Sequence, residues 1–444
     1  MKLCLSELEN VLESSLVNND VYFDGVSIDS RTTKKNELFI AIKGINYDGH
    51  IFIQDAIKNG ACGLITEEDH DDIPYIKVPN TLKALGKIAS YYSRIINPKV
   101  IGITGTNGKT SVTNMTASIL GYFTPTLKTF KNFNNQIGLP LSILRAEKKH
   151  KTFVLEMGAS KKGDIRELIE IANPSIVTIL NVSAAHLDTF ENIDNILSTK
   201  EEILSKQGSS KVVILNKDDK YFQRWVKKSR NHEIRTISAN QPADYCVISS
   251  TQDIISIKTP KEKQIDIRVI DNVQHTINNI LFSIALASEA GASSEHVLSG
   301  INNMLEVGGR FTILDGHNGS NLIDSSYNAN PASFKSTIDS LIKLNGVHWL
   351  IMGEMGELGN DSEQYHIDTA RYAREAGIMK LFVIGKHADA IIRQFGKNAY
   401  SFKTNEQLIT FVKPQITADV NILIKASRFM KYEVIVDALT ARKY

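Results

Sequence analysis

Cysteine is scarce in this chain: there are three among 444 residues, Cys4, Cys62 and Cys246. They are far apart, odd in number and without C-x-x-C spacing, which argues against a disulfide framework and a structural zinc and fits a reducing compartment. An excess of charge of one sign is also lacking. Fifty-one basic residues face 49 acidic ones for a formal net charge of +2, so there is no electrostatic footprint for nucleic acid or a membrane surface. The short basic string Lys148-Lys149-His150-Lys151 reads as a solvated turn. No apolar run is long enough to span a bilayer; the longest lies near residues 277–287. Glu7, Glu9 and Glu13 fall where an export signal needs an apolar stretch, so the expected location is the cytoplasm. Internal repeats and low-complexity segments are missing too. What is present is a 42% apolar composition, enough for true cores, over a length that predicts about three domains of roughly 150 residues each.

The order of elements supports that division. The first 97 residues read as a small α/β unit with a leading helix, a strand over 37–42, a helix near 52–59, and a helix that ends before Pro98, because proline disfavours helix in the residue ahead of it. Apolar strands then follow over 100–104, 152–156, 176–181 and 212–216, alternating with helical stretches. That is the pattern of a parallel sheet covered on both faces, with ligands beyond the carboxyl ends of the strands. After Gly308-Gly-Arg310 the habit repeats over 321–324, 348–352, 380–384 and 420–425. The predicted fold is α/β in three domains, 1–97, 98–310 and 311–444. A central parallel-sheet P-loop ATPase domain is flanked by a small N-terminal α/β domain and a C-terminal Rossmann-like one.

One segment carries most of the chemistry. Lys99-Val-Ile-Gly-Ile-Thr-Gly-Thr-Asn-Gly-Lys-Thr-Ser111 runs an apolar strand into a glycine-rich loop that opens a helix, the arrangement that holds a nucleotide triphosphate. Gly105 and Gly108 let backbone amides approach phosphate oxygens across Thr106 and Asn107. Lys109 adds a mobile cation, and the Thr110 hydroxyl is placed to ligate Mg²⁺. The spacing is the variant G-x-x-G-x-x-G-K-T. Glu156 ends the strand over 152–156, where such a protein needs an oxygen ligand for magnesium. His186 follows the next strand, but a lone histidine is more often a satisfied side chain than a ligand. Lys200 lies in Ser-Thr-Lys-Glu-Glu-Ile, which has the look of a solvated charged helix face.

Asn216-Lys-Asp-Asp219 matches the N-K-x-D string that reads guanine. No D-x-x-G lies between Thr110 and Asn216, however, and a polar turn after a strand accounts for these residues. Two further loops, Asp324-Ser-Ser-Tyr-Asn-Ala-Asn-Pro331 and Gly353-Glu-Met-Gly-Glu-Leu-Gly359, read equally well as punctuation or as parts of a site.

Taken in order, these segments resemble the Mur ligases, ATP-dependent enzymes that build the peptide stem of bacterial peptidoglycan. The resemblance spans essentially the whole chain, with Asp29-Ser-Arg31, Glu37-Leu-Phe-Ile-Ala-Ile-Lys-Gly44 and Asp48-Gly-His50 in the first domain and G-T-N-G-K-T in the second. Asn134-Asn-Gln-Ile-Gly-Leu-Pro140, Glu156-Met-Gly-Ala-Ser160, Ser326-Tyr-Asn-Ala-Asn-Pro331 and Gly353 to Gly359 point to the branch that adds D-alanyl-D-alanine to UDP-N-acetylmuramoyl-tripeptide. The D-N-P-R string of the branch adding diaminopimelate or lysine is missing. Folylpolyglutamate synthetases share the ATPase core but lack the uracil-nucleotide domain that residues 1–97 resemble.

The resemblance implies roles. Gly105, Thr106, Asn107, Gly108, Lys109, Thr110 and Ser111 hold ATP; Asn279 meets its adenine; Arg310 with Asp324, Tyr327, Asn328 and Asn330 closes on it from the domain junction. Ser30 and Arg31 hold the UDP end of the substrate, while Thr129, Asn134 and Asn135 meet its muramoyl-peptide side. Mg²⁺ falls to Thr110, Glu156, His186 and Lys200, the last as a carbamate, and Lys109, Glu156, His186, Lys200 and Arg310 form the catalytic set. UDP-N-acetylmuramoyl-tripeptide and D-alanyl-D-alanine are the implied substrates, nucleic acid and membrane insertion are not expected, and a monomer is the default. Lys425-Ala-Ser-Arg428 resembles a K-G-S-R turn, and three departures stand out: Ala426 for that glycine, Ser325 for a second aspartate, and Thr276 for an asparagine beside His275. Other classes compatible with the sequence are a related amide ligase with a different amine or UDP-peptide, and a nucleotide-binding module without catalysis.

Overall fold

The structure is a computed structural model that describes residues 1–441 apart from 45–46, 72, 184–189, 191, 206–210, 252–253, 270–273, 304–311 and 357. Three larger sheets follow one another along the chain. The first orders Leu16–Val17, Tyr75–Lys77, Ala61–Thr66, Glu37–Ile40 and Gly25–Ser27, parallel except for its first strand. The second has nine strands: Ile265–Arg268, Ile254–Lys258, Tyr245–Ser250, Glu233–Ser238, Val212–Asn216, Ile176–Ile179, Lys99–Thr104, Thr152–Glu156 and Thr126–Lys128. From Tyr245–Ser250 onward to Thr126–Lys128 all its neighbours are parallel. The third sheet orders Thr312–Asp315, Asn321–Asp324, Val420–Lys425, Val347–Met352, Lys380–Ile384 and Ala399–Phe402, antiparallel only at its first pair.

The central strands read as continuous apolar runs because helices cover both faces. Every residue of Thr152–Glu156 and of Ile176–Ile179 is buried. The apolar run near 277–287 is the buried middle of the helix Gln274–Ala290, which packs on the phosphate-loop helix Lys109–Gly121. Among the described residues no helix is long and apolar enough to cross a membrane.

The first and second sheets are joined through a shared core. The helix Thr81–Ile96 starts at Asn80, whose side chain accepts the Lys83 amide at 2.8 Å, and stops at Asn97, which takes a left-handed conformation ahead of Pro98. Its apolar stripe sets Leu85 and Ile88 in one cluster with Leu139, Phe153 and Leu168 of the central body. At its end the buried Tyr92 hydroxyl donates to the Ala146 carbonyl at 2.8 Å.

Several expectations shift. The leading helix is a 3₁₀ turn, Leu5–Leu8, and one α turn, Glu9–Leu12, halted by the left-handed Glu13. The strand expected over 176–181 ends at Ile179, since Leu180 and Asn181 leave the sheet to cover the phosphate loop. The strand expected over 37–42 ends at Ile40. The antiparallel edge from Tyr245 to Arg268 was not foreseen; its strands are short, and Ile254–Lys258 buries only its middle residues.

Tyr92→Phe removes the bond across this junction while keeping the ring. Denaturant unfolding should show a loss of about 1–3 kcal/mol, the cost of leaving a buried carbonyl unsatisfied, and an unchanged midpoint would show that the bond contributes nothing.

Candidate active site

The phosphate loop has the conformation its glycines permit. Gly105 (φ +155°) and Gly108 (φ +84°) take backbone angles that side chains rarely adopt, and an added Cβ would lie 2.9 Å from Leu180 Cβ and 2.7 Å from Asn279 Oδ1 respectively. Lys109 Nζ donates to the carbonyls of Gly105 at 2.8 Å and Thr106 at 3.2 Å, folding its charge over the loop. Asn181 braces the loop from outside: its Oδ1 accepts the Asn107 amide at 2.9 Å and its Nδ2 donates to the Asn107 carbonyl at 3.0 Å. Asn181 was not singled out from sequence. Its one signal was a polar side chain just beyond a buried strand next to the loop.

Glu156 is 3% exposed, and both its oxygens are engaged. Thr110 Oγ1 donates to Oε2 at 2.6 Å and Asn134 Nδ2 donates to Oε1 at 2.7 Å, while the Glu156 amide donates to Thr129 Oγ1 at 2.7 Å. Asn134 is held in turn, since its carbonyl accepts the Gly158 amide at 2.8 Å. Asn135 caps the helix Gly138–Leu144 through its Oδ1, which accepts the Gly138 amide at 2.8 Å. Thr129 therefore sits behind Glu156 and does not line the cleft.

The expectation of a solvated charged face around Lys200 is wrong. Lys200, Glu201 and Glu202 are 6%, 3% and 8% exposed. Buried charge is tolerated only when paired or neutralised, and each of the three has its own solution. Glu201 receives Arg224 at 2.7 Å and Lys228 at 2.9 Å. Glu202 accepts the amides of Gly163 at 2.8 Å and Arg166 at 3.0 Å, at the start of the helix Asp164–Ala172. Lys200 Nζ donates to the Gly105 carbonyl at 3.1 Å. Burial, then the nearby Lys109 charge, hold its pKa well below the ordinary lysine value, against a smaller opposing pull from Glu156.

These groups line a cleft of about 1580 Å³ between the central and third sheets. The cleft brings together residues 105–111, Asn134, Asn135, Glu156, Lys200, Asn279, Tyr327, Asn328 and Asn330. Asn330 touches the loop directly: its Nδ2 donates to Asn107 Oδ1 at 2.8 Å, while its Oδ1 accepts the Ser333 amide at 2.9 Å and starts the helix Pro331–Leu341. Asp324 does not line the cleft; it lies behind the wall, 8% exposed, and accepts the Ser326 amide and hydroxyl. Ser30 and Arg31 are also elsewhere. Ser30 is buried in the first body, and the exposed Arg31 pairs with Asp29 at 2.7 Å, which holds the Asp29 carboxyl below its ordinary pKa. His186 and Arg310 fall outside the described residues.

The sequence departures have physical counterparts. Lys425, 3% exposed, reaches Ser325 Oγ at 3.1 Å and the Asn328 carbonyl at 3.0 Å, so Ser325 serves as its hydrogen-bond partner. Ala426 is absent from the positive-φ residues and needs no left-handed turn. Room for its methyl comes from Gly353, where a Cβ would lie 2.5 Å from that of Ala426. Thr276 lines the cleft beside His275, whose Nδ1 meets Ser336 Oγ at 2.7 Å. In the Asn216 to Asp219 turn, Asn216 Oδ1 accepts the Asp218 amide at 2.9 Å and Asp218 accepts the Ser238 hydroxyl at 2.7 Å, which ties the turn, at the edge of the cleft, to the strand Glu233–Ser238.

Hydroxyl and carboxylate oxygens at Thr110 and Glu156 suit a hard divalent cation. Among the described residues no three His, Cys, Asp or Glu side chains converge to hold a metal.

A phosphate loop on a parallel sheet, with a second α/β body closing the far side of the cleft and a third packed on its flank, is the architecture of a three-domain nucleotide-dependent ligase. Descriptions of the Mur ligase family, catalytic domain, the Mur ligase middle domain, and the Mur ligase, glutamate ligase domain match residues 22–93, 103–287 and 309–428. The UDP-N-acetylmuramoyl-tripeptide--D-alanyl-D-alanine ligase of Escherichia coli K12 is 31% identical over 99% of this chain and 98% of its own length. That of Bacillus subtilis 168 is 29% identical over the same shares. Among solved structures, MurF from Acinetobacter baumannii superposes with a TM-score of 0.92 at 27% identity, covering 98% of each chain. MurF ligase from Thermotoga maritima, in complex with ADP, gives 0.83 at 25% identity over 93% of this chain and 96% of that one. The chain belongs to the Mur ligase family.

Gly108→Ala places a methyl against Asn279 Oδ1 on a backbone angle that alanine resists. Calorimetric titration should show ATP binding weakened by about tenfold or more, with the thermal unfolding temperature within a few degrees of the parent. Unchanged ATP affinity would place the nucleotide elsewhere.

Proposed function

We propose that this chain is the ATP-dependent, ADP-forming ligase that joins D-alanyl-D-alanine to UDP-N-acetylmuramoyl-tripeptide in peptidoglycan precursor synthesis, acting in the cytoplasm. Relatives of that name match it from end to end. The observation that carries the reading is the chain of contacts Thr110–Glu156–Asn134. It sets the phosphate loop and the Asn134-Asn-Gln motif on one carboxylate, which supports the reading that a nucleotide and a second anionic substrate share one cleft. In this reading residues 1–97 take the UDP moiety through Ser30 and Arg31, 98–310 hold ATP, and 311–444 close over it.

In the reaction the terminal carboxylate of the tripeptide attacks the γ-phosphorus of ATP. The bond to the bridging oxygen breaks, ADP leaves, and an acyl phosphate forms. The amine of D-alanyl-D-alanine then attacks the acyl carbon, phosphate departs, and the amine loses its proton. Phosphorylation is needed because a free carboxylate would have to expel oxide, while an acyl phosphate expels phosphate. Lys109 lies over the loop carbonyls, where its charge would meet the transferring group, and such transfers depend chiefly on charge stabilisation and positioning. Thr110 and Glu156 would hold Mg²⁺, joined by His186. Magnesium when bound neutralises charge on the phosphate oxygens. A free lysine amine cannot ligate it as an ammonium, but the depressed pKa of Lys200 favours the neutral amine that captures CO₂, releasing a proton to give an anionic carbamate with oxygen donors.

Phosphate release from ATP, Mg²⁺ and UDP-N-acetylmuramoyl-tripeptide should require D-alanyl-D-alanine and remain at background with D-alanine or L-amino acids. Equal release with another amine would move the enzyme to a neighbouring branch of the family, and none with any amine would favour a binding module. Lys109→Ala should lower kcat by about a thousandfold with the fold intact, in keeping with the loss of one transition-state charge contact; near-parental turnover would contradict its role. Lys200→Ala should be inactive and partly recover with added short carboxylates, whereas absence of recovery would remove the carbamate.

A further inference from the structure

The loop from Gly353 is glycine-rich and irregular, so its backbone amides must find partners outside any ladder. Two consecutive amides are taken by side chains. The Met355 amide donates to His366 Nε2 at 2.8 Å and the Gly356 amide donates to Ser427 Oγ at 2.8 Å. Because Nε2 accepts, Nδ1 carries the proton and donates to the Ser362 carbonyl at 2.6 Å, one turn back in the helix Ser362–Glu375. His366 is 0% exposed, and Met355 is 2% exposed in the apolar core of the third body. Burial chiefly lowers the pKa of the ring; His387, with ring centres 5.0 Å apart, and Lys386 add to that, while the hydrogen bond to the Ser362 carbonyl and the Glu354 charge oppose it.

The far end of this loop reaches the cleft. Gly356 lines it together with Ser427, Arg428 and Phe429. The Ser427 amide donates to the Glu354 carbonyl at 2.9 Å and its hydroxyl to the Ala329 carbonyl at 3.3 Å, so the loop, the Lys425 to Arg428 turn and the segment before Asn330 are locked as one wall. The phosphate loop and Asn330 take the nucleotide side of the cleft, and the Asn134 motif takes the acyl side. Gly356, Ser427 and Arg428 form a further part of the cleft wall, on the third body, and the Arg428 guanidinium there, which also meets Glu433 at 3.4 Å, suits the carboxylate that a free dipeptide brings.

We propose that His366 is a positioning residue for the amine substrate: as a neutral acceptor for the Met355 amide, it fixes the Gly356 wall against which the D-alanyl-D-alanine dipeptide seats. The inference rests on the substrate reading above. Steady-state phosphate release by the full chain tests it, with D-alanyl-D-alanine and ATP varied in turn. His366→Ala should raise KM for the dipeptide by about tenfold, the worth of one fixed hydrogen bond, while KM for ATP stays within about twofold. His366→Gln, whose amide oxygen can accept the same bond, should restore most of the loss. In the parent protein, amide exchange in the peptide covering 353–356 should slow when the dipeptide is added, a readout that needs no variant to fold. If the parent requires the dipeptide but His366→Ala leaves its KM unchanged, raises both KM values together, or is not rescued by Gln, the inference is overturned. Unslowed exchange overturns it as well. If the parent shows no dependence on the dipeptide, the substrate reading falls first and takes this one with it.

Discussion

A carboxylate at the end of a fully buried parallel strand must be satisfied on both oxygens or be lost as a charge, and Glu156 is satisfied by two different parts of the chain. One bond comes from the first turn of the phosphate-loop helix and the other from a side chain of the loop that follows Thr129. The constraint is reciprocal. Donors converge on both oxygens of the carboxylate, and the donors are fixed because the carboxylate sits at a rigid strand end. Much of the rest of the cleft can be traced outward from this pair: Thr129 behind it, Gly158 against Asn134, and Gly105, whose carbonyl meets both Lys109 and Lys200.

The three buried charges after Thr199 show how the same physics extends to the frame. Glu202 ties their turn to the start of the helix Asp164–Ala172, whose Asp164 holds the amides of Ser160 and Lys161. The segment following Glu156 is thus pinned from the same turn that presents Lys200. Glu201, itself buried, is covered by the half-exposed Arg224 and Lys228, which balance its charge. A lysine set between these anchors has its pKa pushed well below the ordinary value, chiefly by burial and then by the Lys109 charge, against the pull of Glu156.

The sequence was most legible where one period or one motif governs the element. Strands buried on both faces, such as Thr152–Glu156 and Val212–Asn216, have the ends that their apolar runs predict, and the glycines of the phosphate loop foretell its two positive-φ positions. It was least legible where tertiary partners decide. Lys200 to Glu202 look like a wetted face because composition cannot reveal that Gly163, Arg166, Arg224 and Lys228 will meet them. The strand from Ile176 stops short because Asn181 is drawn to Asn107, a contact 74 residues away in sequence. Asp324 and Thr129 lie one layer behind the cleft, and motif matching alone does not separate a wall from its support. Ala426 shows a departure accommodated through space, by the missing side chain of Gly353.

In the proposed mechanism one cleft brings the γ-phosphate of ATP and the carboxylate of the tripeptide into direct reaction. This step is tested most directly by following oxygen-18 from a labelled tripeptide carboxylate during a complete turnover with D-alanyl-D-alanine. The phosphate released should carry one labelled oxygen, because that oxygen bridges carbon and phosphorus in the acyl phosphate and leaves with phosphorus. Phosphate free of label, with the amide product formed, would contradict it.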